Sequence, residues 1–172
     1  LRDMAVEVVT GDIRNGRSVT KAAEEMNAII HLASVLGVPD AATNFEVNVG
    51  GANNILTACK THNIKRILFY SSISASRKRT SAYGESKKVA EGILLGAGLD
   101  TTVLRTEMIY GNGSRGLIKI MKQASSYPFF IPLVGRGEIM RQPVYVRDIV
   151  KLTIDLIDNQ SAYNRLLDVG GR

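Results

Sequence analysis

Cysteine, histidine and proline are scarce in this 172-residue chain, and each shortage removes a class of protein. One cysteine, Cys59, forms no disulfide framework and fits a reducing cytoplasm. Two histidines, His31 and His62, with no second cysteine, argue against a zinc site. Only 4 prolines, beside 45% hydrophobic and 22% charged residues, argue against disorder and for a domain that buries a core. The longest apolar stretches, such as Phe129–Val134, are too short to cross a bilayer, and the N-terminus does not read as a signal peptide. A cytoplasmic location with no membrane partner is expected. The chain opens at Leu1 and stops just after Gly170-Gly171, which reads as a piece of a longer protein.

What is present begins with charge. Lysine and arginine number 22 against 16 acidic residues, giving +6 and a pI near 9.6. The densest cluster (Lys65, Arg66, Arg77, Lys78, Arg79, Lys87, Lys88) carries no aromatic residues set out as a base-stacking platform, so a small anionic ligand is expected and nucleic acid is not.

Apolar runs alternate with segments of helical period. Strands are expected at Met4–Val9, Ala28–Ala33, Arg66–Ser72, Thr101–Tyr110 and Leu166–Val169. Helices are expected at Ser18–Met26, Asn44–His62, Ala82–Leu95, Gly116–Ala124 and Val146–Ile157. Strands separated by helices imply βαβ units, hence an α/β fold: a Rossmann-like, doubly wound and mainly parallel sheet with helices on both faces. Pro128, Pro132, Gly135 and Gly137 break the rhythm, dividing residues 1–126 from a loop-rich 127–172 segment with a returning helix and strand, the start of a small subdomain. In such sheets ligands lie outside the carboxyl ends of the strands, where Asp12, Ser34, Ser72 and Gly111 all fall.

Two motifs compete for attention there. Gly111-Asn112-Gly113-Ser114-Arg115-Gly116 matches G-x-G-x-x-G, yet Arg105, Thr106 and Glu107 lie in the preceding strand and a proline-rich stretch follows. Glycines permitting a tight turn are the expected reading. Tyr83-Gly84-Glu85-Ser86-Lys87 is the sharper pattern, because Tyr83 and Lys87 share a helix face and Ser72 ends the preceding strand. A phenol is a poor base at neutral pH, and a nearby ammonium favours its phenolate. A serine hydroxyl within reach would hold a substrate oxygen, so the three together can move a proton to or from a carbinol.

Seven segments, in order, carry a resemblance: Val9-Thr10-Gly11-Asp12-Ile13-Arg14, Ile30-His31-Leu32-Ala33-Ser34, Asn48-Val49-Gly50-Gly51-Ala52-Asn53, Leu68-Phe69-Tyr70-Ser71-Ser72, Tyr83 with Lys87, Leu104-Arg105-Thr106-Glu107-Met108-Ile109-Tyr110-Gly111, and Gly135-Arg136-Gly137 with Arg141 through Asp148. Together they resemble the extended short-chain dehydrogenase/reductase family of the NAD-dependent epimerase/dehydratase type. The resemblance implies that residues 1–126 form a partial NAD(P)-binding unit, that NAD or NADP is the cofactor, and that the family's glycine-rich loop would precede Leu1. It implies Tyr83, Lys87 and Ser72 as catalytic residues. It implies cofactor contacts at Asp12, Ile13, Leu32, Ala33, Ser34, Asn48, Tyr83, Lys87, Thr106 and Met108, and substrate contacts at Ser72 and Arg141. It implies a nucleotide-linked sugar or similar carbinol as substrate, with hydride transfer to the nicotinamide, no metal, and a homodimer through the helices Asn44–His62 and Ala82–Leu95. Thr106 stands where the family usually has proline, and 11 positions separate Ser72 from Tyr83, fewer than in sugar epimerases. The short spacing and Gln142-Pro143-Val144-Tyr145-Val146 resemble a branch with NADH-dehydrogenase accessory subunits, so a non-catalytic dinucleotide-binding subunit is the alternative.

Overall fold

The computed structural model describes residues 6–35, 40–114, 126 and 141–171. Its elements, in chain order, are α1 (Gly16–Ala22), β1 (Ala28–His31), α2 (Ala41–Phe45), a π-helical turn (Glu46–Gly50), α3 (Gly51–His62), β2 (Arg66–Ser72), a 3-10 turn (Ile73–Ser76), α4 (Ala82–Leu95), β3 (Asp100–Thr106), β4 (Ile109–Tyr110), β5 (Val144–Tyr145), α5 (Val146–Ile157), a second 3-10 turn (Gln160–Ala162) and β6 (Arg165–Val169). The main sheet has the order β1-β2-β3-β6 with every pairing parallel, and β4 and β5 form a small parallel ladder of their own.

Alternation along β2 decides the layering. Ile67 and Phe69 face one core with Ala52, Ile55, Cys59, Ala90 and Leu94 from α3 and α4. Leu68 faces the other with Leu104, Leu156 and Ala162. A strand flanked by parallel neighbours and covered on both faces must be apolar almost throughout, as Ile67–Phe69 is. The doubly wound α/β reading therefore holds. Cys59 is core, as expected, and burial pushes its thiol up to about 11.

Arg66 ties three segments together where β2 begins. Its Nε donates to the Ile157 carbonyl at 2.7 Å, Nη2 to the Leu156 carbonyl at 2.6 Å, and Nη1 to the Asp100 carbonyl at 2.6 Å. The C-terminal carbonyls of α5, which have no partner within the helix, are thus satisfied by a cation.

Several boundaries differ from expectation. Of the strand expected at Met4–Val9, residues 6–9 form none, pairing with no strand among the described residues and leaving Val8 67% exposed, while Met4 and Ala5 lie outside the described residues. The helix expected at Ser18–Met26 starts at Gly16 under an Asn15 cap and stops at Ala22, before Glu25 turns left-handed at φ 62°. β1 ends at His31 instead of Ala33, with Ile30 40% and Leu32 62% exposed. Asn44–His62 is interrupted by the π-helical turn. The strand expected at Thr101–Tyr110 is two: β3 ends at Thr106, in register with the last residue of β6, Val169, and residues 109–110 form β4, which pairs with β5 instead. Arg66–Ser72, Ala82–Leu95 and Val146–Ile157 match their expected bounds. The helix expected at Gly116–Ala124 and the Pro128–Gly137 stretch lie outside the described residues.

Candidate active site

The carboxyl ends of β1 and β2 converge on the N-terminal half of α4. Ser81 caps that helix by accepting from the Gly84 N–H, which fixes where its first turn points. Gly84 is required by contact: a Cβ there would lie 1.9 Å from Thr80 Oγ1 and 2.9 Å from the Ser74 carbonyl. The helix therefore sits hard against the 3-10 turn that follows Ser72. Ser72 begins that turn, its Oγ accepting from the Ser74 N–H at 3.2 Å.

Tyr83 is approached from two sides, its phenol facing the hydroxyls of Ser34 and Ser72. Burial pushes the phenol above its ordinary value, and the nearby hydroxyls act in the opposite sense. Behind this pair lies Asn48, buried in the π-helical turn. Its Oδ1 accepts from Ser34 Oγ at 2.9 Å and from the Val35 N–H at 3.3 Å; its Nδ2 donates to Ser86 Oγ at 2.9 Å. Ser86 Oγ in turn donates to the Tyr83 carbonyl at 2.8 Å. The chain of bonds runs from Ser34, which faces the Tyr83 phenol, to the Tyr83 carbonyl.

Lys87 is buried one turn further along α4. Its Nζ donates to the Tyr70 carbonyl at 2.6 Å and lies 4.4 Å from the centre of the Phe69 ring. Burial brings its pKa down to about 8, with Glu91 acting in the opposite sense. His31 stacks on the same ring at 5.2 Å and is held neutral, its pKa lowered to about 4 by burial first and by Lys87 second. His31 is packed, and its Nε2 has no partner among the described residues.

The structure thus brings Ser34, Asn48, Ser72, Tyr83 and Lys87 into one site, with Thr106 paired beside Ser72 in the sheet. Asp12 and Ile13 stand apart, in a groove of about 410 Å³ beside β1 that Val9, Ile29, Ile30 and Ala33 also line. There Asp12 accepts from Arg14, its N–H at 2.9 Å and Nη2 at 2.6 Å, and the pairing lowers its pKa to about 2. Leu32 and Met108 are exposed, and the Met108 carbonyl accepts from the Val144 N–H at 3.0 Å. Arg141 lies near Glu107, Nη1 to Oε2 at 3.6 Å, on the side of β4 and β5. The glycine motif forms a turn, with Gly111 at φ 148° and Gly113 at φ 83°. Among the described residues no cluster of three or more His, Cys, Asp or Glu side chains is placed to hold a metal, and no helix is long and apolar enough to cross a membrane.

Two features of the site escaped the sequence reading. Ser34, expected only as a cofactor contact, faces the Tyr83 phenol. Glu91, four residues past Lys87, is buried against Ser71 and Arg105; the spacing was visible, but its burial depends on β3.

A parallel sheet with helices on both faces and a Tyr–Lys helix at its carboxyl edge defines a Rossmann-like α/β domain. The model of the NAD dependent epimerase/dehydratase family matches residues 1–170, and the chain belongs to that family. It is 25% identical to a 3beta-hydroxysteroid-dehydrogenase/decarboxylase of Arabidopsis thaliana, over 87% of this chain and 39% of the relative. It is likewise 25% identical to the N-acetyl-alpha-D-glucosaminyl-diphospho-ditrans,octacis-undecaprenol 4-epimerase of Escherichia coli O157:H7, over 88% of this chain and 52% of the relative. An epimerase structure from Methanothermobacter thermautotrophicus superposes with a TM-score of 0.84 at 19% identity, covering 95% of this chain and 57% of that one. The chain therefore spans about half, or less, of the relatives it matches.

Proposed function

We propose that this chain carries the proton-transfer machinery of an NAD-dependent epimerase, dehydratase or reductase acting on a secondary carbinol, such as that of a nucleotide-linked sugar. The observation that carries the reading is the Tyr83 phenol facing the Ser34 and Ser72 hydroxyls, with the Lys87 ammonium buried on the same helix face. The residues fit the cofactor. The apolar groove beside β1, with the Asp12 carboxylate as acceptor, suits an aminopurine ring, and Asp12, Ile13 and Ala33 would hold it. Tyr83, Lys87, Thr106 and Met108 would border the nicotinamide end. When bound, NAD supplies the hydride acceptor or donor for the carbon that bears the substrate oxygen.

Tyr83 gives its phenolic proton to that oxygen in reduction and takes the carbinol proton in oxidation. Ser72 donates to the same oxygen and holds it against Tyr83. Lys87 favours the phenolate by its charge, against the burial that raises the phenol. Arg141, at the β4–β5 side, would bind an anionic part of the substrate.

The test compares the native protein with Tyr83→Phe on a panel of nucleotide-linked sugars and other secondary carbinols, with NADH binding followed by fluorescence. The variant should lose about 10²–10⁴-fold in turnover while binding NADH as before. Turnover unchanged by the substitution would refute the role of Tyr83. Native protein that binds NADH yet turns over nothing would place the chain with non-catalytic dinucleotide-binding subunits.

A further inference from the structure

Lys87 has a charged neighbour that the mechanism does not use. Glu91 lies four residues on along α4, buried, and its carboxylate faces β2 and β3. Oε1 accepts from the Ser71 hydroxyl and from Arg105 Nε at 2.9 Å, and Oε2 accepts from Arg105 Nη2 at 2.6 Å. Ser71 and Arg105 are register partners across the β2–β3 ladder, so one carboxylate pins α4 to both strands at once. Three consecutive β2 residues then share the work: the Tyr70 carbonyl holds Lys87, Ser71 holds Glu91, and Ser72 faces Tyr83.

A buried ion pair is a poor device for stability alone, since an apolar pair of similar volume would serve as well. We propose that Glu91, held in place by Arg105 and Ser71, is a positioning residue that keeps Lys87 protonated beside Tyr83. The inference rests on the reading of Tyr83 and Lys87 given above and adds a regulator to it.

The groups around Lys87 leave that task to Glu91. From β1 comes His31, which is neutral; from β2 come the Tyr70 carbonyl and the Phe69 ring, neither ionic. From α4 come Tyr83, neutral until it gives up its proton, and Glu91. Arg105 from β3 and Asp168 from β6, themselves paired in register, stand behind the carboxylate. Glu91 is thus the negative charge that opposes the desolvation of Lys87.

The experiment reads Lys87 directly, by NMR titration of protein carrying isotope-labelled lysine, with Lys87→Arg to assign the signal. In Glu91→Gln the Lys87 midpoint should fall by about one pH unit, a roughly tenfold rise in its neutral-to-charged ratio. A carboxylate that served packing alone would, when removed, loosen the site, hydrate Lys87 and move the midpoint up toward that of a free lysine. An unchanged or raised midpoint therefore overturns the proposal. Should Glu91→Gln fail to fold, the double variant Glu91→Gln/Arg105→Met removes both buried charges together, and the midpoint should again fall below that of the native protein. Because this readout needs no turnover, it stands or falls apart from the test of Tyr83.

Discussion

Asn48 Nδ2 donates to Ser86 Oγ at 2.9 Å, joining the π-helical turn after α2 to the interior of α4, and both residues are buried. π-helical turns recur where a helix must place one side chain out of step with its neighbours. Here the turn sets Asn48 between Ser34 and Ser86, the two serines that hold the ends of Tyr83.

Removing that amide should be costly. Asn48→Ala breaks the bonds to Ser34, Val35 and Ser86 and leaves buried polar groups without partners. A loss of about 2–3 kcal/mol is expected from urea unfolding. Asn48→Asp, which cannot donate to Ser86, should fall between the two.

His31 makes the protein sensitive to acid. Its folded pKa of about 4 lies below the ordinary imidazole value of 6.5, so the unfolded chain binds the proton more readily. Stability from this group is present above about pH 6.5 and is lost as the pH falls toward 4. In NMR titration one of the two imidazole signals should remain neutral down to about pH 5, and His31→Phe should flatten the acid limb of the unfolding curve.

Gly84→Ala tests the seat of α4 on the turn after Ser72. The added methyl would lie 1.9 Å from Thr80 Oγ1 and 2.9 Å from a backbone carbonyl that cannot step aside. A destabilisation of about 1–3 kcal/mol is expected in urea, with only partial relief from adding Thr80→Ala, because the Ser74 carbonyl remains.

Where the sequence read true and where it did not have one cause. β2 and α4 could be bounded from the chain alone: Arg66–Ser72 is apolar because it is buried on both faces, and α4 carries its own cap at Ser81 and ends at Gly96. Val6–Val9 has an equally strand-like composition, but a strand exists only where a neighbour supplies the ladder. The break after Thr106 coincides with the end of its partner strand β6 at Val169, far along the chain, and no local signal reports it. Tyr83, Lys87 and Ser72 were legible as a pattern of types and spacing. The roles of Ser34, Asn48 and Glu91 were not, because each is defined by what lies across the sheet.

Arg66 bears on which substitutions the chain could tolerate. Its guanidinium meets carbonyls from α5 and from the start of β3 through three separate nitrogens, and it lies 4.5 Å above the Tyr163 ring. Lysine would keep the charge and lose the fork, meeting one or two of those oxygens from a single point. The exchange usually counted as mildest would thus unlace the far end of the sheet, while every residue of the candidate site stayed as it was.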